Sequence, residues 1–323
     1  MKMLVTGGGG FLGAPLCAKL LAEGHEVRAL DDYSRGRPDR LASIADRIEI
    51  VHGDVRDMAS VREATRGCEM VWHLASVNGT RFFYERPDVV VEVAIKGALH
   101  TIEAALAEGV RRYVLFSSSE VYQTPTAIPT PETERLIMPD VHNPRFSYGG
   151  GKMASELLAL HLGGRRGLEP IIFRPHNFYG PDMGNEHVVP ELIRRIYDLS
   201  DGLKKKKIDL PIQGDGTESR SFCYVDDGVA AAAIAGLSGT SGEIYHGGTE
   251  REVTISWVAS ELARILGVEA TLVPGEAPAG ATRRRCPSIE KLGRLGYRPA
   301  VELEDGLRRT VEWFLKRPPE PKP

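Results

Sequence analysis

Residues 2–13 read KMLVTGGGGFLG, a short apolar run, Lys2–Thr6, that ends in a glycine turn. The run has the length and content of a buried strand, and Phe11–Glu23 carries the apolar spacing of a helix. The glycines Gly7, Gly10 and Gly13 stand in the frame G-x-x-G-x-x-G. Without a side chain, such a turn lets the backbone approach a pyrophosphate closely. The phosphate charge then meets free N–H groups at the positive end of the helix. Glycine turns with a purely structural use are common, so the weight here comes from the strand, turn and helix around this one.

Outward from the turn, His25–Asp31 reads as a second strand, with Asp31 24 residues after Gly7. A carboxylate there accepts hydrogen bonds from the adenosine ribose hydroxyls and repels a 2′-phosphate, favouring NAD over NADP. Arg28, Arg35 and Arg37 nearby leave NADP open. Read alone, Asp31 is a turn residue beside Asp32. Arg47–His52 forms a third strand, and Gly53-Asp54-Val55 follows it where an acid contacting adenine belongs. Met58–Arg66 reads as a helix, Met70–Leu74 as a strand, Pro87–Glu108 as a long helix and Arg112–Ser117 as a strand. Tyr148–Leu162 and Glu169–Arg174 add a helix and a strand. This alternation predicts an α/β fold with a doubly wound parallel sheet.

After Arg174 the rhythm weakens, which places a smaller α/β substrate domain over residues 175–316. The first domain spans 1–174, with 221–237 returning to it through a helix at Val229–Leu237. The tail Arg317–Pro323, rich in proline, reads as extended and flexible. Lys204–Lys207, four lysines in a row before a strand at Ile208–Ile212, reads as a solvated loop, with a phosphate contact as the alternative.

Composition limits the function classes. The 323 residues carry 41 Lys+Arg and 44 Asp+Glu, a formal charge of −3. That balance argues against nucleic acid or an anionic membrane as the main partner. No apolar stretch is long enough to span a bilayer, and Met1–Gly13 lacks the pattern of a signal peptide. Four cysteines (Cys17, Cys68, Cys223, Cys286) lie far apart without a C-x-x-C pair. A disulfide framework or metal site is not expected, and a cytoplasmic location is.

Tyr148 and Lys152 are four residues apart, on one face of a helix. A phenol is a poor base at neutral pH, but a neighbouring lysine cation and a positive nicotinamide ring stabilise the phenolate. It then takes a hydroxyl proton while a hydride leaves the same carbon. The Tyr/Lys pair gains meaning from Ser117-Ser118-Ser119 at the carboxyl edge of the fifth strand, where ligands bind in such sheets. Gly149–Gly151 is costly inside a helix, roughly 0.8–1 kcal/mol per glycine. Close approach of a cofactor or helix accounts for that, and so does a late helix start.

With these residues in place, the chain resembles the extended short-chain dehydrogenase/reductases, in particular the NAD-dependent nucleotide-sugar epimerases and dehydratases. The resemblance rests on TGGGGFLG (6–13), GDVRD (53–57), HLAS (73–76), SSSEVY (117–122), YGGGK (148–152), FRPHNFYGP (173–181), GDGTESRSFCYVDD (214–227) and LGYRPAVELEDGL (295–307). It implies a Rossmann-type domain holding NAD through Gly7, Gly10, Phe11, Leu12, Gly13, Asp31, Asp32, Asp54, Val55, Leu74 and Ala75, with Tyr148 and Lys152. It implies Ser118, Tyr148 and Lys152 as the catalytic trio, and Glu120 with Ser119 as residues that direct the later step. Asn177, Arg220, Arg285 and Val189 become contacts of a nucleotide-diphosphate sugar, two arginine forks suiting a diphosphate. A salt bridge is the other use of Arg220 and Arg285, and Asp226 reads as a helix cap. The helices at 87–108 and 148–162 resemble a homodimer interface.

Three positions depart from the family pattern: Ala94 replaces an asparagine, Gln123 a glycine and Ser288 an aspartate. Oxidation of the sugar at C4 is the first step the resemblance implies. C4 epimerisation and 4,6-dehydration then stand nearly level, and decarboxylation of a uronic acid ranks third. Glu120 separates these outcomes unless it is structural, bonded to a nearby hydroxyl. A non-catalytic NAD sensor and a dehydrogenase of non-sugar alcohols are the readings from other classes.

Overall fold

The computed structural model describes residues 1–276 and 282–317. In chain order the elements begin with β1 (Lys2–Thr6), α1 (Gly13–Ala22), β2 (Glu26–Asp31), β3 (Glu49–His52), α2 (Met58–Thr65), β4 (Met70–His73), α3 (Thr80–Glu85), α4 (Pro87–Ala107) and β5 (Arg112–Phe116). Then come α5 (Ser147–Leu157), β6 (Glu169–Pro175), β7 (Phe178–Tyr179), α6 (Val188–Leu199), β8 (Lys207–Ile212), β9 (Ser219–Ser221), β10 (Cys223–Tyr224) and α7 (Val225–Ser238). The chain closes with β11 (Ile244–Gly247), β12 (Glu252–Thr254), α8 (Ile255–Ile265), β13 (Glu269–Pro274), β14 (Arg284–Arg285), α9 (Glu290–Arg294) and α10 (Leu303–Lys316).

Seven strands form one parallel sheet in the order β11-β6-β5-β4-β1-β2-β3. Strands covered on both faces need continuous apolar sequence. Met70–His73 in β4 is buried throughout, and Trp72 is among the largest fully buried side chains. One apolar cluster, joining α1 and α7, continues into the second half of the chain; the other holds α2, α4 and α5. Crossovers on both faces are the doubly wound arrangement that the alternation predicts. Small sheets β12-β9-β14, β13-β8 and β10-β7 build the second region.

The differences from expectation are local. Phe11 and Leu12 belong to the turn, because α1 begins at Gly13. The returning helix is longer than Val229–Leu237 and feeds an unanticipated strand, β11, onto the sheet edge beside β6. Asp226 caps nothing: Tyr224 occupies the cap position of α7 and no side chain bonds there. Its neighbour Asp227 instead accepts the N–H groups of Ala300 and Val301 at 3.0 and 2.9 Å. The helix expected to run to Leu162 passes into a π-helical stretch at Leu158–Gly163. Lys204–Lys207 are all exposed. Residues 318–323 of the proline-rich tail lie outside the described part. No helix of the described residues is long and apolar enough to cross a membrane.

The three glycines of α5 lie inside the helix, which starts at Ser147, so a late start is not their reason. A Cβ on Gly151 would stand 2.7 Å from the Ala94 Cβ of α4, and one on Gly149 2.9 Å from the Glu120 carbonyl oxygen. Ser155 Oγ also donates to the Ala94 carbonyl at 3.0 Å. Ala94 and Gly151 together let α4 and α5 touch closely, which gives the departure at Ala94 a packing reason.

Candidate active site

A cavity of about 480 Å³ runs along the carboxyl ends of the sheet strands. It begins at the glycine turn, where Gly7 has φ +70° and its carbonyl accepts the Gly10 N–H at 3.0 Å. A Cβ on Gly13 would lie 2.0 Å from the Gly7 carbonyl oxygen. No side chain caps the N-terminus of α1 and its first turn holds no acid. The cradle therefore keeps the Phe11, Leu12 and Gly13 N–H groups and its positive end for an anion, the Gly9 and Gly10 N–H groups being taken by Asp31 and the Gly7 carbonyl. Phe11, Leu12, Asp32, Asp54, Val55, Leu74 and Ala75 continue the wall.

Asp31 is buried, and its two oxygens accept the Gly9 and Tyr33 N–H groups, both at 2.8 Å. Burial pushes its carboxyl up, and those N–H groups offset only part of the rise. Each carboxylate oxygen keeps a lone pair for a ribose hydroxyl. The arginines that left NADP open have other partners. Arg28 binds Glu49 and the Ala64 carbonyl, Arg37 binds Asp39 and Asp182, and Arg35 binds Glu186 and the Asn78 carbonyl.

Midway along the cavity stand Ser118, Tyr148 and Lys152. Tyr148 stacks on Phe83 with ring centroids 5.3 Å apart. The Lys152 ammonium lies 5.7 Å from the Tyr148 ring centroid and donates to the Phe116 carbonyl at 2.7 Å. Burial pushes the phenol up to about 12, against the pull of the Ser118 and Ser76 hydroxyls, and brings Lys152 down to about 8. The phenol thus keeps its proton at neutral pH until a further positive charge comes beside it.

The far end carries Glu120, Arg145, Asn177, Arg220 and Arg285. Arg285 Nη1 donates to Glu120 Oε1 at 2.7 Å. Burial acts to raise Glu120, but Arg285, with Arg145 and Arg220 behind it, outweighs burial and holds the carboxyl below its usual range. The partner of Glu120 is an arginine, not the hydroxyl its structural alternative called for, and Arg285 has the salt bridge that was its own alternative. Arg220 donates to the Ser219 carbonyl at 2.8 Å and has no ion-pair partner among the described residues. Burial brings its guanidinium down to about 10. Asn177 sits at φ +44°, its amide donating to the Ser221 carbonyl at 3.0 Å.

Every expected site residue lines this cavity except Val189. That side chain is buried in the core, and its neighbour Val188 lines the cavity instead. Gln123 stands at φ +53°, a conformation that suits the family's glycine, and its side-chain amide donates to the Glu120 carbonyl at 2.6 Å. Sequence reading missed Ser76 and Arg145. Ser76 closes the quoted HLAS segment. Arg145 lies three residues before Tyr148, a spacing that brings it to the same side of the chain. Its Nε is buried without a partner.

Sheet, cradle and the Ser118, Tyr148 and Lys152 set define an extended short-chain dehydrogenase/reductase. The chain belongs to the NAD dependent epimerase/dehydratase family, whose model matches residues 3–248. It is 33% identical to a UDP-glucose 4-epimerase of Mycolicibacterium smegmatis, over 98% of this chain and 99% of that one. It is 30% identical to a UDP-N-acetyl-alpha-D-glucosaminuronate decarboxylase of Bacillus cytotoxicus, over 97% of both chains. The structure of a dTDP-glucose 4,6-dehydratase from Streptomyces venezuelae with NAD bound superposes with a TM-score of 0.86 at 31% identity, covering 98% of this chain and 97% of that one. NAD is the cofactor of this family, and the capless helix, the crowded Gly7–Gly13 contact and Asp31 fit it.

Proposed function

We propose that the chain oxidises a nucleotide-diphosphate sugar at C4 and then acts at C5 through Glu120, losing water from C6 as a 4,6-dehydratase does. NAD, when bound, supplies the hydride acceptor and the positive charge near the phenol. Ser118 holds the C4 oxygen and Tyr148 takes its proton, while the Lys152 cation offsets the phenolate charge. The resulting 4-ketone acidifies the C5 hydrogen. Glu120 accepts that proton and passes it to the C6 hydroxyl, which leaves as water, because a serine such as Ser119 is far too weak an acid to do so. The hydride taken from C4 then returns to C6, and a solvent proton reaches C5 through Glu120. Asn177 and Arg220 hold the diphosphate.

One observation carries this reading: an ionised carboxylate, Glu120, shares a turn with Ser118 and faces the cavity that holds Tyr148. Plain C4 inversion has no use for it. A panel of UDP-, GDP-, dTDP- and CDP-sugars in deuterated water, read by NMR, tests it. Deuterium at C5 of the product is expected, and a C4 epimer without it overturns the reading.

Arg145 favours a second outcome, decarboxylation of a uronic acid. With Arg285 committed to Glu120 and Arg220 to the diphosphate, Arg145 remains to meet a C6 carboxylate. A β-keto acid loses carbon dioxide without a base, so gas release from a UDP-uronic acid distinguishes this outcome from loss of water. The sensor and non-sugar readings lose support, because Ser118, Tyr148 and Lys152 share one cavity with Asn177 and Arg220.

The packed helices α4 and α5 leave Val91, Ile95 and Leu157 exposed, which supports a homodimer through that face. The free thiols of Cys17, Cys68, Cys223 and Cys286 support a cytoplasmic enzyme. The division into a cofactor domain over 1–174 and a sugar domain over 175–316 is part of the same proposal. The chain from α7 through β11 returns to the first.

A further inference from the structure

The turn from Ser117 to Tyr122 carries Ser118, Ser119 and Glu120, and both of its ends are tied to one buried ion pair. Glu156 lies on α5, one turn beyond Lys152, and Arg174 lies in β6. Arg174 Nε and Nη2 donate to Glu156 Oε1 and Oε2 at 2.8 and 2.5 Å, with both side chains almost wholly buried. At the near end of the turn, the Ser117 hydroxyl donates to Glu156 Oε1. At the far end, Arg174 Nη1 donates to the Tyr122 hydroxyl oxygen.

The protons of this chain can be assigned throughout. His246 Nδ1 lies 3.1 Å from the Ser288 carbonyl, which only accepts, so Nδ1 carries the ring proton. Nε2 is then the acceptor, and the Tyr122 hydroxyl donates to it at 2.6 Å. That leaves the Tyr122 oxygen free to receive the arginine. Every link is satisfied, from the start of the turn through α5 and β6 to β11.

A buried ion pair is weak evidence for stability, since apolar residues of similar size commonly fold as well or better. What this pair does that apolar residues cannot is hold three directions at once: the helix with Tyr148 and Lys152, the strand beneath it, and both ends of the turn with Ser118 and Glu120. We propose that Glu156 and Arg174 are positioning residues, holding the Ser118–Glu120 turn in register with Tyr148. This rests on the reading that Ser118, Tyr148 and Glu120 carry the chemistry.

The measurement is the rate at which bound NAD is reduced on mixing with sugar nucleotide, followed by absorbance in a single turnover. The double variant Glu156→Leu/Arg174→Met removes the polar pair without leaving a lone buried charge. It is expected to melt at or above the wild-type temperature, retain NAD, and reduce it about a hundredfold more slowly, the effect of an ångström of misplacement. Arg174→Lys keeps the charge but loses the fork and the Tyr122 contact. About a tenfold slowing at unchanged KM is expected, and it decides the matter if the double variant does not fold. A wild-type rate in either folded variant overturns the inference. Wild-type protein that never reduces its NAD with any sugar of the panel overturns the underlying reading instead.

Discussion

At one end of the cavity, Gly7 and Gly13 meet backbone to backbone, and the acid there, Asp31, spends an oxygen on each of two main-chain N–H groups. At the other end, Glu120, Arg145, Arg220 and Arg285 are gathered from distant segments, Glu120 and Arg285 being 165 residues apart. The cofactor end is a shape made of main chain, intolerant of a single added atom. The sugar end is a balance of charges, tolerant of atoms but not of altered sign. The two ends should therefore fail in different ways when disturbed.

Tyr148→Phe and Gly13→Ala test that separation most sharply. Tyr148→Phe removes the proton acceptor and nothing from the cradle. A loss of roughly 10³ in kcat is expected, with NAD content unchanged. Gly13→Ala drives a Cβ to 2.0 Å from the Gly7 carbonyl oxygen, where backbone must give way. Overpacking of that kind costs about 1–3 kcal/mol, so NAD binding should weaken by roughly ten- to a hundredfold, measured by calorimetry on protein stripped of cofactor. The comparison breaks if Tyr148→Phe empties the cradle or Gly13→Ala leaves NAD binding unchanged.

The same contrast governs what sequence could disclose. Gly7, Gly10, Gly13 and Asp31 fall on one strand–turn–helix unit and the next strand, so local spacing was enough to place them. Tyr148 and Lys152 were legible from their helical spacing only together with the serines that follow β5, and Asn177, Arg220 and Arg285 from the family resemblance. Their partners were not. That Arg285 would meet Glu120, or that Glu156 and Arg174 would tie down the catalytic turn, depends on contacts between remote segments that no spacing encodes. Val189 was misplaced by one residue on α6, where a single step turns a side chain from cavity to core. Strand β11 escaped notice because Ile244–Gly247 offers two apolar residues before a histidine and a glycine, where the equally short β4 opens on three apolar residues in a row.

Acidity sharpens the comparison at its midpoint, where Lys152 is buried between the two ends. Its folded value near 8 lies below the ordinary lysine value of 10.5. The cation that assists Tyr148 is present below pH 8 and is lost above it. The value of kcat/KM should therefore fall about tenfold per unit on the alkaline side of pH 8. Stability should move the other way. Because folding favours neutral Lys152, this group's contribution is full above pH 10.5 and is lost as pH falls toward 8. Lys152→Met should lower activity at every pH and remove both dependences; an alkaline limb that survives in the variant would assign it to another group.

The smallest expected effect concerns the mouth of the cofactor end, where charge returns. Arg37 and Arg40, on the loop after β2, both reach Asp182 Oδ2, at 2.7 and 2.6 Å. Arg40 also donates to the Asp182 carbonyl at 2.7 Å and to the Gly9 carbonyl at 3.3 Å. This clasp ties the cradle to the segment after β7 across the cavity's edge. Its members are partly exposed, so each pair contributes modestly and salt screens it. Asp182→Asn should speed NAD release by about three- to fivefold and remove its dependence on ionic strength, with kcat unchanged. If release instead stays as slow as in the wild type, the Asp182 clasp is idle; a salt dependence that survives assigns the hold to other charges, and one that is absent in both proteins assigns it to main-chain shape.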